Sequence, residues 1–286
     1  MKDYLLGLYE KSMPNYLSWK EKLTCAKEAG FDFVEISIDE TDEKLARLNS
    51  KKSERFEIIK DIYEVGIPIR TMCLSGHRKY PLGSSNESVR KKSIAIMEKA
   101  IEFACDIGIR IIQIAGYDVY YEESSSSTKE YFLKNLKKCV EMAAKKGVIL
   151  AFETMETEFM NTVSKAMHYV NKINSPYLKV YPDAGNITNA AVLYNECVID
   201  DIKKGKGHIA AVHLKETVPN KFREIPFGTG HVDFENIIKT SWDLGVRKYV
   251  AEFWYTGNEN WMDEIKNARK FMDEKFKRAL NSDILI

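Results

Sequence analysis

No stretch of this chain comes near the run of about 18 apolar residues that a membrane-spanning helix requires. The apolar start, "MKDYLLGLYEKS", is interrupted by Glu10 and Lys11 too soon to read as a secretion signal. Cysteine is sparse and dispersed. Cys25, Cys73, Cys105, Cys139 and Cys197 form an odd set with no close spacing, which argues against a disulfide framework and reads as free thiols in a reducing cytoplasm. Neither sign of charge dominates: Lys and Arg total 43, Asp and Glu 42, for a formal net charge of +1, so neither nucleic acid nor a membrane surface is an expected partner. Glycine-rich phosphate turns of the Rossmann or P-loop type are missing as well, and no nucleotide cofactor is implied. No linker is evident. "SSSS" at 124–127 reads as a loop leading into a helix near Thr128.

What is present is a repeated alternation. Short runs rich in β-branched and aromatic residues occupy 4–10, 33–38, 69–75, 111–118, 149–154, 178–183, 209–216 and 249–254. Most lack a clean polar/apolar alternation, as strands covered on both faces do. Amphipathic stretches fill the gaps; in one, Ile94, Met97, Ile101 and Ala104 recur at helical spacing before Gly108. Gly30, Gly66, Gly108, Gly147 and Gly245 each fall shortly before a strand, where a helix C-cap belongs. Eight βα units in 286 residues predict an α/β fold, a single-domain (β/α)8 TIM barrel spanning 1–286. A doubly wound open sheet is the runner-up.

Catalytic residues of such barrels sit at the C-terminal ends of strands. Glu153 ends the fifth run, Asp183 ends the sixth, His213 lies in the seventh and Glu252 in the eighth. One acidic residue at a strand end is commonly a salt-bridge partner or a cap. Four on consecutive strands around one rim would be costly to bury together without a cation. This oxygen-rich set suits a divalent ion such as Zn²⁺, Mn²⁺, Mg²⁺ or Co²⁺.

The segments around these residues, "FETM", "YPDAGN", "AVHLKE" and "AEFW", resemble the metal-binding segments of the xylose-isomerase-like barrel superfamily. Longer stretches narrow the likeness: "GLYEKSMP", "GFDFVEISIDETDEKLARL", "MCLSGHRKYPLGS", "IQIAGYDVYY", "SKAMHYV" and "PFGTGHVDFE". Together, from about Leu6 to Arg269, the chain resembles the L-ribulose-5-phosphate 3-epimerase family, also called L-xylulose-5-phosphate 3-epimerase, of bacterial ascorbate and pentose utilisation. The resemblance implies metal ligation by Glu153, Asp183, His213 and Glu252, with Glu153 and Glu252 as the acid/base pair. It also implies a cytoplasmic enzyme and a homodimer. Inverting the carbon beside a ketone passes through an enediolate, whose charge a metal would stabilise, while two carboxylates on opposite faces exchange the proton. The other ring nitrogen of His213 should then bond an outer acceptor.

Further groups point to the same mouth by position. Asn186 is read as a hydroxyl binder or a helix cap. Glu156 would bond Lys215 or a hydroxyl, and Lys215 would neutralise the carboxylates or bind substrate. Glu35 would bind a hydroxyl or pair with a base. For a phosphate, Lys221 and Arg223 in "VPNKFREIPFGTG", with Gly228 and Gly230 offering backbone N–H groups, are the leading candidates; His77 with Arg78 are the competing ones. His168 and His208 read as non-catalytic. An aldose–ketose isomerase of a sugar phosphate (hexulose-6-phosphate isomerase type), a 3-epimerase of free ketoses, and a non-catalytic sugar- or metal-binding barrel are the alternatives. An apurinic endonuclease is disfavoured, because five histidines and a balanced charge suit neither its metal cluster nor a DNA-binding face.

Overall fold

A computed structural model describes residues 3–281; residues 1, 2 and 282–286 of the expected 1–286 barrel lie outside the described part. All eight apolar runs form strands: β1 (Leu5–Tyr9), β2 (Phe33–Ile38), β3 (Ile69–Leu74), β4 (Ile111–Ala115), β5 (Ile149–Glu153), β6 (Leu178–Tyr181), β7 (Val212–Leu214) and β8 (Lys248–Ala251). They lie parallel in the order β6-β5-β4-β3-β2-β1-β8-β7. Single bridges at Val180–Ile209 and Asp183–His213 join the two ends and close the barrel. That seam is thin for a local reason. Pro182 has no N–H to donate, so the ladder breaks there, although its carbonyl still accepts His213 N at 2.9 Å.

The helices are α1 (Trp19–Glu28), α2 (Asp42–Ala46), α3 (Lys52–Val65), α4 (Glu87–Ile107), α5 (Ser126–Lys145), α6 (Val163–Ile173), α7 (Ala184–Tyr194), α8 (Val198–Lys204), α9 (Phe234–Asp243) and α10 (Trp261–Asn281). The serine stretch does what its chemistry favours: Ser125 caps α5, accepting from Thr128 N. The five glycines noted before strands all take left-handed φ, between 67° and 89°.

Strand residues divide by parity. Leu6, Leu8, Val34, Ile36, Met72, Ile112, Ile114, Leu150, Phe152, Val180, Val212, Leu214 and Ala251 join the core beneath the helices. Residues of the other parity, including Tyr9, Phe33, Cys73, Ile111, Ala151, Tyr181 and Val250, pack together inside the barrel. Gly7 belongs to the inner set, and a Cβ there would run into the Phe33 ring. The same inner parity places Glu35, Thr71, Gln113, Glu153, Asp183, His213, Lys215 and Glu252 on the barrel axis. Among the described residues no helix is long and apolar enough to cross a membrane. The five cysteines are unpaired.

Candidate active site

Glu153 is the last residue of β5, and Glu252 follows β8 with its N–H still donating to Leu214 O at 2.9 Å. Asp183 is the N-cap of α7, and His213 is central in β7. All four are buried, and one ligand atom from each lies within 4.8 Å of the others. The Nδ1 of His213 points into the gap between the carboxylates, 2.8 Å from Glu252 Oε2, 3.3 Å from Glu153 Oε1 and 3.9 Å from Asp183 Oδ2.

Each side chain is held from behind. Asp183 Oδ1 accepts from Asn186 N at 2.7 Å and faces Lys215 Nζ at 3.2 Å, which leaves Oδ2 for the centre. Gln113 Nε2 donates to Glu153 Oε2. The Nε2 of His213 meets Glu35 Oε1 at 2.6 Å, and the other Glu35 oxygen accepts from Thr71 Oγ1 at 2.7 Å and Tyr181 OH at 3.0 Å. With Nε2–H donating to the Glu35 carboxylate, Nδ1 is the ring nitrogen that faces the gap and is the one available to a cation.

The electrostatics call for a positive charge. Burial, assisted by Glu252 and Glu153, raises the Asp183 carboxyl well above its usual range. Burial disfavours charging His213, yet Glu35 and Glu252 outweigh it and raise the imidazole well above its ordinary value. Burial would also raise Glu252, but Lys215 and His213 hold it well below the usual carboxylate range. Asp183 Oδ2 and Glu252 Oε2 are buried without a hydrogen bond. Orphaned acceptors aimed at one point, beside an imidazole nitrogen, fit a divalent cation.

Around this centre the structure corrects several expectations. Glu35 takes the second of its two expected roles, pairing with a base: it is the third residue of β2, buried, and supports His213. Asn186 presents no free polar end, since its Nδ2 donates to Thr154 O and its Oδ1 accepts from Lys215 Nζ. His77 turns inward to Ser93 O at 3.1 Å, and burial lowers its pKa to about 4, so it is a neutral structural group. The Gly228 N–H, expected to face an external anion, donates instead to the chain's own Glu216 carboxylate, which also accepts from Val232 N.

Glu156 does not meet Lys215. It accepts from Tyr117 OH at 2.7 Å and Tyr120 OH at 3.3 Å, and lies 3.9 Å from both Arg78 Nη2 and Arg223 Nη2. Burial would raise this carboxyl, but its own backbone N–H, Tyr117 and the two arginines lower it. The two competing phosphate sets thus contribute one arginine each to a single rim. Lys221 is exposed at the tip of its loop. Trp254 packs edge-on to Tyr9 and near Lys215, forming a wall of the mouth. Gln113, Thr71, Tyr181 and Glu216 escaped the sequence reading; inward strand parity was the available signal for the first three.

The family model for the xylose isomerase-like TIM barrel matches residues 23–275. L-ribulose-5-phosphate 3-epimerase UlaE of Shigella boydii serotype 18 is 43% identical over 279 residues, 97% of each chain. The enzyme of the same name from Escherichia coli O157:H7 is equally similar. Among solved structures, an L-ribulose 3-epimerase superposes with a TM-score of 0.78 at 19% identity, covering 99% of this chain and 97% of that one. A D-tagatose 3-epimerase-like protein gives 0.79 at 16% identity, covering 98% and 99%. These distant structures share the fold. With the family model and the close relatives covering nearly the whole sequence, the chain belongs to the xylose isomerase-like TIM barrel family and, within it, to the L-ribulose-5-phosphate 3-epimerase family.

Proposed function

We propose that this chain is a divalent-metal-dependent 3-epimerase that interconverts L-ribulose 5-phosphate and L-xylulose 5-phosphate. The observation that carries the reading is the meeting of Glu153 and Glu252 with Asp183 and His213 at one buried point of the mouth. The substrate is that of the L-ribulose-5-phosphate 3-epimerases that match along 97% of the chain. A cytoplasmic homodimer acting in ascorbate and pentose catabolism belongs to the same reading.

The cation held by these four residues would supply Lewis-acid stabilisation of charge on the sugar oxygens next to C3. The chain's own residues do the rest. Glu153 and Glu252 come from strands three places apart in the eight-membered ring, so a sugar lying between them presents opposite faces of C3 to two carboxylates. One removes the C3 proton and the other returns a proton from the far side; the roles exchange with direction. Lys215 keeps Glu252 ionised and thus able to accept a proton. Gln113 fixes the Glu153 carboxylate, and Trp254 and Tyr9 narrow the water-accessible space. For the phosphate end, Arg223 and Arg78 are the candidate cations, approaching Glu156 from opposite loops.

Incubation with L-ribulose 5-phosphate and a divalent metal in deuterated water, followed by NMR, tests the reading. Deuterium should enter C3 as L-xylulose 5-phosphate accumulates. Glu153→Gln and Glu252→Gln should each lower inversion by about 10²–10⁴-fold. Exchange at C1 with an aldose product, or turnover that survives a chelator, would refute it.

A further inference from the structure

The segment that follows β7 leaves the barrel at Thr217 and returns at His231, where His231 N donates to Thr217 O at 3.1 Å. The loop tip carries Arg223 to within 3.9 Å of Glu156, over the face of Trp254. Phe227, four residues on, packs against Phe234, Phe253 and Phe271 and anchors the returning arm, whereas the tip itself has few polar ties. Val218 and Lys221 pair through their backbones, and Asn220 N reaches Asn189 Oδ1 at 3.3 Å. The base, in contrast, is gathered on one carboxylate. Glu216 is buried, its Oε1 accepting from Val232 N at 3.1 Å and Thr217 N at 3.2 Å, its Oε2 from Gly228 N at 3.0 Å. No side-chain cation pairs with it among the described residues. A buried carboxylate satisfied by backbone N–H groups is a strong and directional clamp. The close approach has its own sequence requirement: a Cβ on Gly230 would collide with the Glu216 carboxylate and with Thr217 O.

We infer that Glu216 is a positioning residue that ties both ends of the 217–231 loop and so holds Arg223 over the mouth for substrate binding. Its kinetic consequence rests on the epimerase reading; its structural consequence does not. The clamp acts on the loop and leaves the proton-transfer residues in place. In Glu216→Gln one acceptor becomes a donor facing an N–H, and the base of the loop loosens.

Hydrogen exchange on wild-type protein supplies a test that needs no variant. Gly228 and Val232 amides should exchange at least about tenfold more slowly than those of Arg223 and Glu224. Equal rates would overturn the clamp, whatever the enzyme's substrate. In Glu216→Gln, exchange across 218–227 should rise while the barrel strands stay protected. With L-ribulose 5-phosphate, KM should rise about tenfold in Glu216→Gln and kcat change less than about threefold. The Glu216→Gln/Arg223→Ala double variant should have the KM of Arg223→Ala alone. A fall in kcat at unchanged KM, or KM effects that multiply in the double variant, would overturn the coupling to Arg223.

Discussion

At the scale of the residue, the centre depends on buried groups that hold the candidate ligands from behind. Glu35 is fully enclosed by His213, Thr71 and Tyr181, and its 2.6 Å contact with Nε2 selects which imidazole nitrogen faces the carboxylates. Glu35→Gln should therefore weaken divalent-ion affinity about 10–100-fold, as loss of such an outer partner typically does. Titration against a competing chelator measures this directly, and unchanged affinity would show that His213 is oriented by packing alone. The four candidate ligands were legible because each is an ionisable residue in or at the end of an apolar strand run, one on each of four consecutive strands. For Glu35 the sequence left two roles open, because it shows that the residue lies on a strand and not that His213, 178 residues away, is the base it meets. Gln113 went unnoticed for the same reason: an amide inside an apolar run has no charge to draw attention, and its role exists only through Glu153, 40 residues away.

At the scale of elements, strands and helices were readable from local chemistry, since parallel strands buried on both faces give apolar runs and left-handed glycines end the helices before them. Loops were not, because their partners come from elsewhere in the chain. Glu10, just after β1, is buried against Lys22 and Lys44 at 2.8 Å each and Arg47 at 2.8 Å, and it accepts from Ser37 N at 2.8 Å. This knot binds the first loop to α1, α2 and the end of β2. Burial would raise the Glu10 carboxyl, but Arg47, Lys22 and Lys44 drive it far below the usual range. Glu10→Gln leaves buried ammonium groups without a counter-charge and should cost about 3–5 kcal/mol in urea unfolding at pH 7. The sign of the pH effect follows from the depressed folded value. Glu10 stabilises fully above its unfolded pKa of about 4.3, and that contribution is lost as pH falls toward the folded value. The stability gap between wild type and Glu10→Gln should thus narrow from about pH 5 to pH 3; parallel curves would refute the assignment.

For the molecule as a whole, the cation site and barrel closure coincide. Seven neighbouring strand pairs are joined by parallel ladders of three or more residue pairs, whereas β6 and β7 meet only through isolated bridges on either side of Pro182. One of those bridges pairs Asp183 with His213, two of the four candidate ligands. A bound divalent ion would therefore staple the weakest seam of the barrel, and it would also relieve the crowding of three buried carboxylates. Binding to the folded state alone stabilises by RT ln(1 + [L]/Kd), about 2.7 kcal/mol at a hundredfold excess over Kd. Chelation should lower Tm by several degrees, with recovery on adding back Mn²⁺, Zn²⁺, Co²⁺ or Mg²⁺ in an order that reports the preferred ion. The loss should also be local. Hydrogen exchange should accelerate first at 178–183 and 209–215, before the β2–β3 and β4–β5 ladders respond. A chelator-induced change spread evenly around the barrel would mean that the ion stabilises the fold without closing it, and no change at all would remove the cation from the account of this fold.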